Sequence, residues 1–341
     1  MPTPPTGSTS PQKFSRHWNA DLLKVISIIG VVYVHVSSRL SADPSLIPDI
    51  QSFCRFCVPA FIILFAYFTE LSSRSSEGLR YHTSRIRSLL IPFFFWSVLY
   101  FLIEANWSKL TPSTLLTTHF SGFGWAGQYF FIILFQMILL FPLLQKLAGN
   151  RWTAYGTILA TVPLFIWLGY FPETSPPALQ SLSLRPAPYW FAYGIIGILA
   201  ARGKIPVIPA WTLPLVLLLP LENHLLSDAG IRSDPYLRPT VFLGSGIITL
   251  AFLSKTQFSI GNIPWVSKTV KIIAPHTMGI FVLNPLFTIA IRSPRNPFAP
   301  AFAGFPPLPL SFILVLIVLP ACLATSQLIK RLHCGWMLGK S

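Results

Sequence analysis

Ten mostly apolar stretches recur along this 341-residue chain, most of them close to twenty residues long and nearly free of charge. At about 1.5 Å of rise per residue, a helix of that length matches the roughly 30 Å hydrocarbon layer of a bilayer. No water reaches that layer, so each backbone N–H and C=O must pair inside its own segment, and the α-helix is the form such a stretch takes. The stretches lie at 20–38, 50–69, 88–105, 128–147, 153–171, 188–201, 206–222, 240–254, 272–291 and 308–329. The expected fold is therefore all-α, a polytopic integral membrane helical bundle with about ten transmembrane helices. Pro206, Pro209, Pro214 and Pro220 crowd the seventh stretch, where the missing N–H groups predict a kink. Only 10% of the residues are charged, against about 25% in soluble domains, so lipid is the main solvent.

A net charge of +15 would suit a nucleic-acid partner if it were gathered in one patch, but the basic residues alternate from loop to loop. Lys13, Arg16, Arg74, Arg80, Arg85, Arg87, Lys146, Arg151, Arg202 and Lys204 fall on the side of the N-terminus, as do the lysines of 255–271 and Lys330, Arg331 and Lys340. Arg39, Lys109, Arg185, Arg232, Arg238, Arg292 and Arg295 fall on the other. An excess of roughly two to one places both termini in the cytoplasm by the positive-inside rule. The charge thus reports a lipid bilayer partner and topology, not nucleic acid. Residues 1–19, rich in Pro, Ser and Thr, read as a disordered cytoplasmic tail, 20–331 as one membrane domain, and 332–341 as a short cytoplasmic C-terminal tail. The 70–87 segment reads as the longest inner loop. Asp21, Lys24 and His35 inside the first stretch argue for a retained helix over a cleaved signal peptide.

Ionisable groups at membrane depth cost at least a few kcal/mol, so they mark either function or a pairing partner. Asp21, Lys24 and His35 share one face of the first helix: Lys24 and His35 are eleven residues apart, roughly 20° in azimuth and about 16 Å in height. The same spacing also suits a boundary ion pair beside a hydrogen-bonded structural histidine. Arg55 enters the second helix at a depth similar to that of His35, and an imidazole beside a guanidinium can act as general base with an oxyanion partner. Glu104, at the outer end of the third stretch, can orient a histidine, bind an acceptor or snorkel to the surface. Arg80, Arg85 and Arg87 cluster on the inner side, where they suit phosphates or anionic lipid. Cys54 and Cys57 have CxxC spacing without a second pair, which fits core filling better than a zinc or redox site. No GxxxxGK[ST], GxGxxG or HExxH motif occurs, and no metal site is expected.

The run NADLLKVISIIGVVYVH from Asn19 to His35 resembles the opening helix of the acyltransferase family 3 membrane proteins, whose signature is a basic residue, ten intervening residues and a histidine. RFCVPAFIILFAYF from Arg55 and RIRSLLIPFFFWSVLYFL from Arg85 resemble the second and third helices. Gln128 to Leu144 is similar to the family's aromatic helix with its Pro-Leu-Leu, and MGIFVLNPLF from Met278 to a late element. The likeness runs in order through nearly the whole chain. It implies a ten-helix enzyme of the bacterial inner membrane that passes an acyl group, commonly acetyl, from cytoplasmic acyl-CoA to a sugar hydroxyl of a cell-envelope polysaccharide or its lipid-linked precursor. By that resemblance His35 is the catalytic histidine, and Lys24 with Asp21 shapes the donor end of its path; Arg55 joins the catalytic candidates from its depth beside His35. Arg80, Arg85 and Arg87 then bind acyl-CoA (acetyl-CoA), and Glu104, Gln128 and Asn284 are candidates for the carbohydrate acceptor. Two departures stand out: Asn284 where many members have histidine, and Phe65-Ala66 where many have Ser-Gly. An appended hydrolase-like domain is not expected, so the membrane domain acts alone or with separate envelope-biosynthesis proteins.

The competing expectation is a proton-coupled secondary transporter or polysaccharide exporter that uses Asp21, Lys24 and His35 as a relay. Such folds carry paired broken helices in two related halves, and no internal repeat is visible in this chain.

Overall fold

A computed structural model of the chain describes residues 18–38, 40, 46–73, 78–105, 111–205, 208–231, 234–254, 263–292 and 304–339. Among these residues there are helices and no strand. The main helices are α1 (Trp18–Ser37), α2 (Ile47–Phe53), α3 (Cys57–Ser73), α4 (Gly78–Glu104), α5 (Gln128–Leu139), α6 (Phe141–Leu147) and α7 (Arg151–Tyr170). They continue with α8 (Phe191–Ala201), α9 (Leu218–Asp228), α10 (Pro239–Leu253), α11 (Pro264–Ile273), α12 (Thr277–Arg292) and α13 (Pro307–Arg331). Helix α1 packs against α3, α10, α12 and α13. Its apolar window is 72% buried, against 28% for α7 and 33% for α4 and α13, so α1 is the central helix and the others form the wall.

The wall helices leave apolar stripes uncovered. On α4, Ile91, Phe94, Val98 and Leu102 are exposed at spacings of three and four, and on α13 so are Phe312, Ile313, Leu316 and Ile317. A helix apolar toward both core and surroundings belongs in lipid. Among the described residues, six helices or merged helix pairs are long and apolar enough to cross a membrane. The bent pair α5–α6 makes a seventh, and the apolar helices Ala187–Ala201 and Pro239–Leu253 are shorter. The chain is a multi-pass membrane protein. Each of the ten expected stretches contains helix, and among the described residues six or seven of the helical units pass as spans by length and composition.

Prolines account for the breaks. Pro142 stands two residues past Leu140, where α5 and α6 meet at 63°, so the fourth stretch is bent and not straight. Pro59 cannot donate to the carbonyl of Arg55, and residues Cys54–Phe56 tighten into a 3-10 turn between α2 and α3. The proline-rich seventh stretch is a 3-10 segment over Ala210–Leu217, followed by α9.

Two boundary expectations are corrected. The 70–87 segment is not a loop: α3 continues to Ser73 and α4 begins at Gly78, so Arg80, Arg85 and Arg87 stand on a helix. At 27 residues α4 is about 40 Å long, and hydropathy located only the part that suits lipid. The described part of the 332–341 segment, residues 332–339, packs on the bundle. Its turn Gly335–Leu338 docks on α4, Trp96 Nε1 donates to Met337 O at 2.7 Å, and Leu338 is buried. Of the expected 1–19 tail, residues 1–17 lie outside the described residues, and Trp18 and Asn19 belong to α1.

Candidate active site

Helix α12 organises the site through its proline. Pro285 has no N–H, so the carbonyl of Phe281 loses its helical partner. The Asn284 side chain replaces that partner: Nδ2 donates to Phe281 O at 2.7 Å and to Ile280 O at 3.2 Å. With the amide nitrogen committed to carbonyls, Oδ1 faces α1, where it accepts a short hydrogen bond from His35 Nδ1. Tyr100 of α4 props the same break open. Its hydroxyl donates to Val282 O at 2.7 Å and accepts from Leu286 N at 2.9 Å, standing in the helical ladder between them.

This arrangement fixes the chemistry of His35. Asn284 is fully buried and presents only an acceptor, so the neutral imidazole carries its proton on Nδ1. Nε2 is then the basic nitrogen. His35 lines a cavity of about 610 Å³, together with Arg55, Glu104, Trp125 and Phe281. That volume lies in the range of small-molecule sites, about 300–1,000 Å³.

Arg55 reaches this cavity from the 3-10 turn. Its Nη1 donates to Tyr236 Oη at 3.4 Å, and its guanidinium lies 5.3 Å from the centre of that ring. Tyr236 is placed by Asp234, whose Oδ1 caps the Pro235–Leu237 turn by accepting from Tyr236 N at 3.0 Å. Asp234 Oδ2 accepts from Ser183 Oγ at 3.0 Å. Burial pushes the Asp234 carboxyl above the ordinary carboxylate range, against the pull of these hydrogen bonds and of Arg55. Asp234, Tyr236 and Trp125 all line the cavity, and the sequence reading had singled out none of them. An Asp-Pro-Tyr ahead of an apolar helix was the available signal.

The opposite wall is the loop between His119 and Gln128. Gly127 has φ +95°, and a Cβ there would meet the Phe281 ring at 2.8 Å, so only glycine lets this loop lie against α12. Gln128 is fully buried behind the loop. Its Oε1 accepts from Gly124 N at 2.6 Å, and its Nε2 donates to His119 O at 2.6 Å and Ser97 Oγ at 2.7 Å. Gln128, singled out for the acceptor, has its amide engaged in holding this loop. Glu104 is exposed at the cavity mouth.

Asp21 and Lys24 form a 3.2 Å ion pair, with Lys24 Nζ 4.2 Å from the centre of the Phe68 ring. They sit at the other end of α1, Lys24 about 16 Å and Asp21 about 21 Å along the helix from His35. Nearby in sequence to Phe68, the buried Glu70 accepts from Arg202 Nε at 2.9 Å and Gln145 Nε2 at 2.8 Å, an interior ion pair that hydropathy alone did not suggest. Arg85 is half-buried and Arg87 exposed on the early turns of α4, while the Arg80 side chain lies outside the described residues. Two residues apart on one helix, Arg85 and Arg87 point about 200° apart and do not grip one group together. Cys54 and Cys57 are free thiols packed against Gly30 of α1, where a Cβ would lie 2.5 Å from Cys57 Sγ.

The structure thus gathers His35, Arg55 and Glu104 around one cavity with Asn284 directly behind the histidine, and sets Asp21, Lys24, Arg85 and Arg87 toward the opposite end. No curated protein and no solved structure matches the chain. The family model described as an acyltransferase domain matches residues 17–327, which takes in every main helix from α1 through most of α13. The chain belongs to acyltransferase family 3.

Proposed function

We propose that the protein is a membrane O-acyltransferase that moves an acyl group, acetyl in the simplest case, from cytoplasmic acyl-CoA to a sugar hydroxyl of a cell-envelope glycan or its lipid-linked precursor. The observation that carries this reading is the hydrogen bond from His35 Nδ1 to the fully buried Asn284, at the edge of a cavity that both His35 and Arg55 line. In the proposed step the acceptor hydroxyl gives its proton to His35 Nε2 as its oxygen attacks the thioester carbonyl. The C–S bond then breaks, and the sulfur leaves as the thiol with the proton returned from Nε2. Asn284 Oδ1 holds the Nδ1 proton throughout and steadies the ring while it is charged. Arg55 is positioned to stabilise the oxyanion, a role that is strong in a water-poor site. Glu104 at the mouth accepts from acceptor hydroxyls, and Gln128 acts through the loop it holds.

In this reading ten helices cross the bacterial inner membrane and both termini are cytoplasmic, as the distribution of basic residues supports. The end bearing Lys24, Arg85 and Arg87 then meets the donor. Arg85 and Arg87 contact separate phosphates of the coenzyme, one on each side of α4, because the helix separates their directions. Changing both to Gln weakens acyl-CoA binding to purified protein by roughly tenfold or more, since charge-assisted hydrogen bonds contribute about 1.5–3 kcal/mol each. Unchanged affinity in equally abundant protein makes them lipid anchors instead. The reading as a whole is tested by mass analysis of envelope glycans from cells with and without the gene. An alkali-labile acyl group present only with the gene is the expected result, and identical glycans contradict it.

A further inference from the structure

A second cavity, of about 790 Å³, adjoins the one at His35. The two share Ser183 and Asp234, which line both and are hydrogen-bonded to each other. Ser183 holds φ 49°, a left-handed conformation that a non-glycine residue keeps only where the surroundings impose it. Here the imposed geometry turns the Ser183 hydroxyl onto the Asp234 carboxylate. That carboxylate has accepted two hydrogen bonds, from Tyr236 N and Ser183 Oγ, and a carboxylate offers about four acceptor sites. It therefore retains capacity at the boundary of both cavities.

The rest of the second cavity combines Phe171 and Tyr189 with Glu173 and Gln180. Gln180 Nε2 donates to Ser175 O at 2.8 Å and Pro172 O at 3.3 Å, so that its amide offers a ligand the oxygen as acceptor. Aromatic faces with planar hydrogen-bonding groups suit a polyhydroxylated ring, whose C–H faces pack on the aromatics while its hydroxyls meet carboxylate and amide. Two carboxylates in the lining, Glu173 and Asp234, disfavour an anionic ligand. We propose that this cavity is a second acceptor subsite, which holds the sugar adjoining the one acylated at His35, so that the acceptor is a neutral oligosaccharide engaged across at least two residues. The inference rests on the reading of the acceptor as a carbohydrate.

The test uses the full-length protein in detergent and neutral fragments of one to four sugar residues, size-fractionated from the envelope glycan of the producing cells. Direct binding and acyl transfer are measured separately. Fragments of two or more residues are expected to bind roughly tenfold tighter than single sugars, about what one further good hydrogen bond supplies. Leu179→Trp fills the second cavity from a half-buried lining position. It is expected to bring that ratio to about one. Glu173→Ala, at an exposed position that folding tolerates, is expected to lower the ratio as well. Binding that does not depend on length in the parent protein, or a ratio unchanged in both variants, overturns the inference. Length-dependent binding without any acyl transfer supports the subsite and counts against the transfer reading, so the two failures are told apart.

Discussion

Replacing His35 with Gln is expected to lower acyl transfer by roughly 100- to 10,000-fold per mole of folded protein, the span that positioned acid–base catalysis supplies. Glutamine has similar length and can still donate to Asn284 Oδ1, so the hydrogen bond behind the ring has a substitute. What it lacks is a second nitrogen that takes and returns a proton near neutral pH. The loss therefore falls on the chemical step, while insertion into the membrane and coenzyme binding persist. A structural histidine gives the opposite pattern, because disrupting a buried hydrogen bond costs roughly 1–3 kcal/mol of stability and leaves surviving molecules active. Transfer, coenzyme affinity and thermal stability in detergent, measured on one preparation, separate the two. Full specific activity in well-folded His35→Gln protein would falsify the catalytic role.

Asn284→Ala comes next in expected size. Asn284 is a positioning residue that acts through His35, and removing partners that orient a functional imidazole typically costs roughly 10- to 100-fold. Without Oδ1 the proton is no longer held on Nδ1, and part of the population presents Nε2 protonated and unable to act as base. The decrease is expected in kcat, with KM for acyl-CoA unchanged. A merely structural asparagine predicts lower stability from the orphaned Phe281 carbonyl and no change in kcat. Asn284→His keeps an acceptor nitrogen in reach of Nδ1 and is the residue that many family members carry there, so it is expected to restore a large part of the activity. Failure of histidine to rescue, with the fold intact, contradicts the assigned role.

The bundle was legible in the sequence because lipid imposes a long, uniform and apolar signal on each stretch. Its edges were less so. Hydropathy marks where lipid begins and not where backbone hydrogen bonding ends, so the early turns of α4 read as a loop and its arginines as a cluster on one surface. Bilayer-depth ions were visible for the same reason the helices were: Lys24, His35 and Arg55 interrupt apolar runs. Asn284 entered through a resemblance, but Asn-Pro on an apolar helix holds its own physical logic, a proline freeing a carbonyl and an amide taking it. Asp234-Pro-Tyr236 signals a capped turn, but the part that Asp234, Tyr236 and Ser183 play at the cavity was not legible. Their meaning comes from contacts such as Ser183 to Asp234 and Arg55 to Tyr236, between segments 51 and 181 residues apart. Gln128 shows a different gap: a polar residue opening an apolar helix reads as a ligand group until its partners are known to be the loop itself.

The central claim, transfer of an acyl group from coenzyme to sugar, is tested most directly by supplying purified protein in proteoliposomes with acyl-CoA isotopically labelled in its acyl group, together with the envelope glycan. The account predicts that label appears as an alkali-labile ester on a sugar hydroxyl, in step with release of free coenzyme thiol, and that both vanish in His35→Gln. Glycan that crosses the membrane unlabelled while the thioester stays intact would contradict it and favour a transporter.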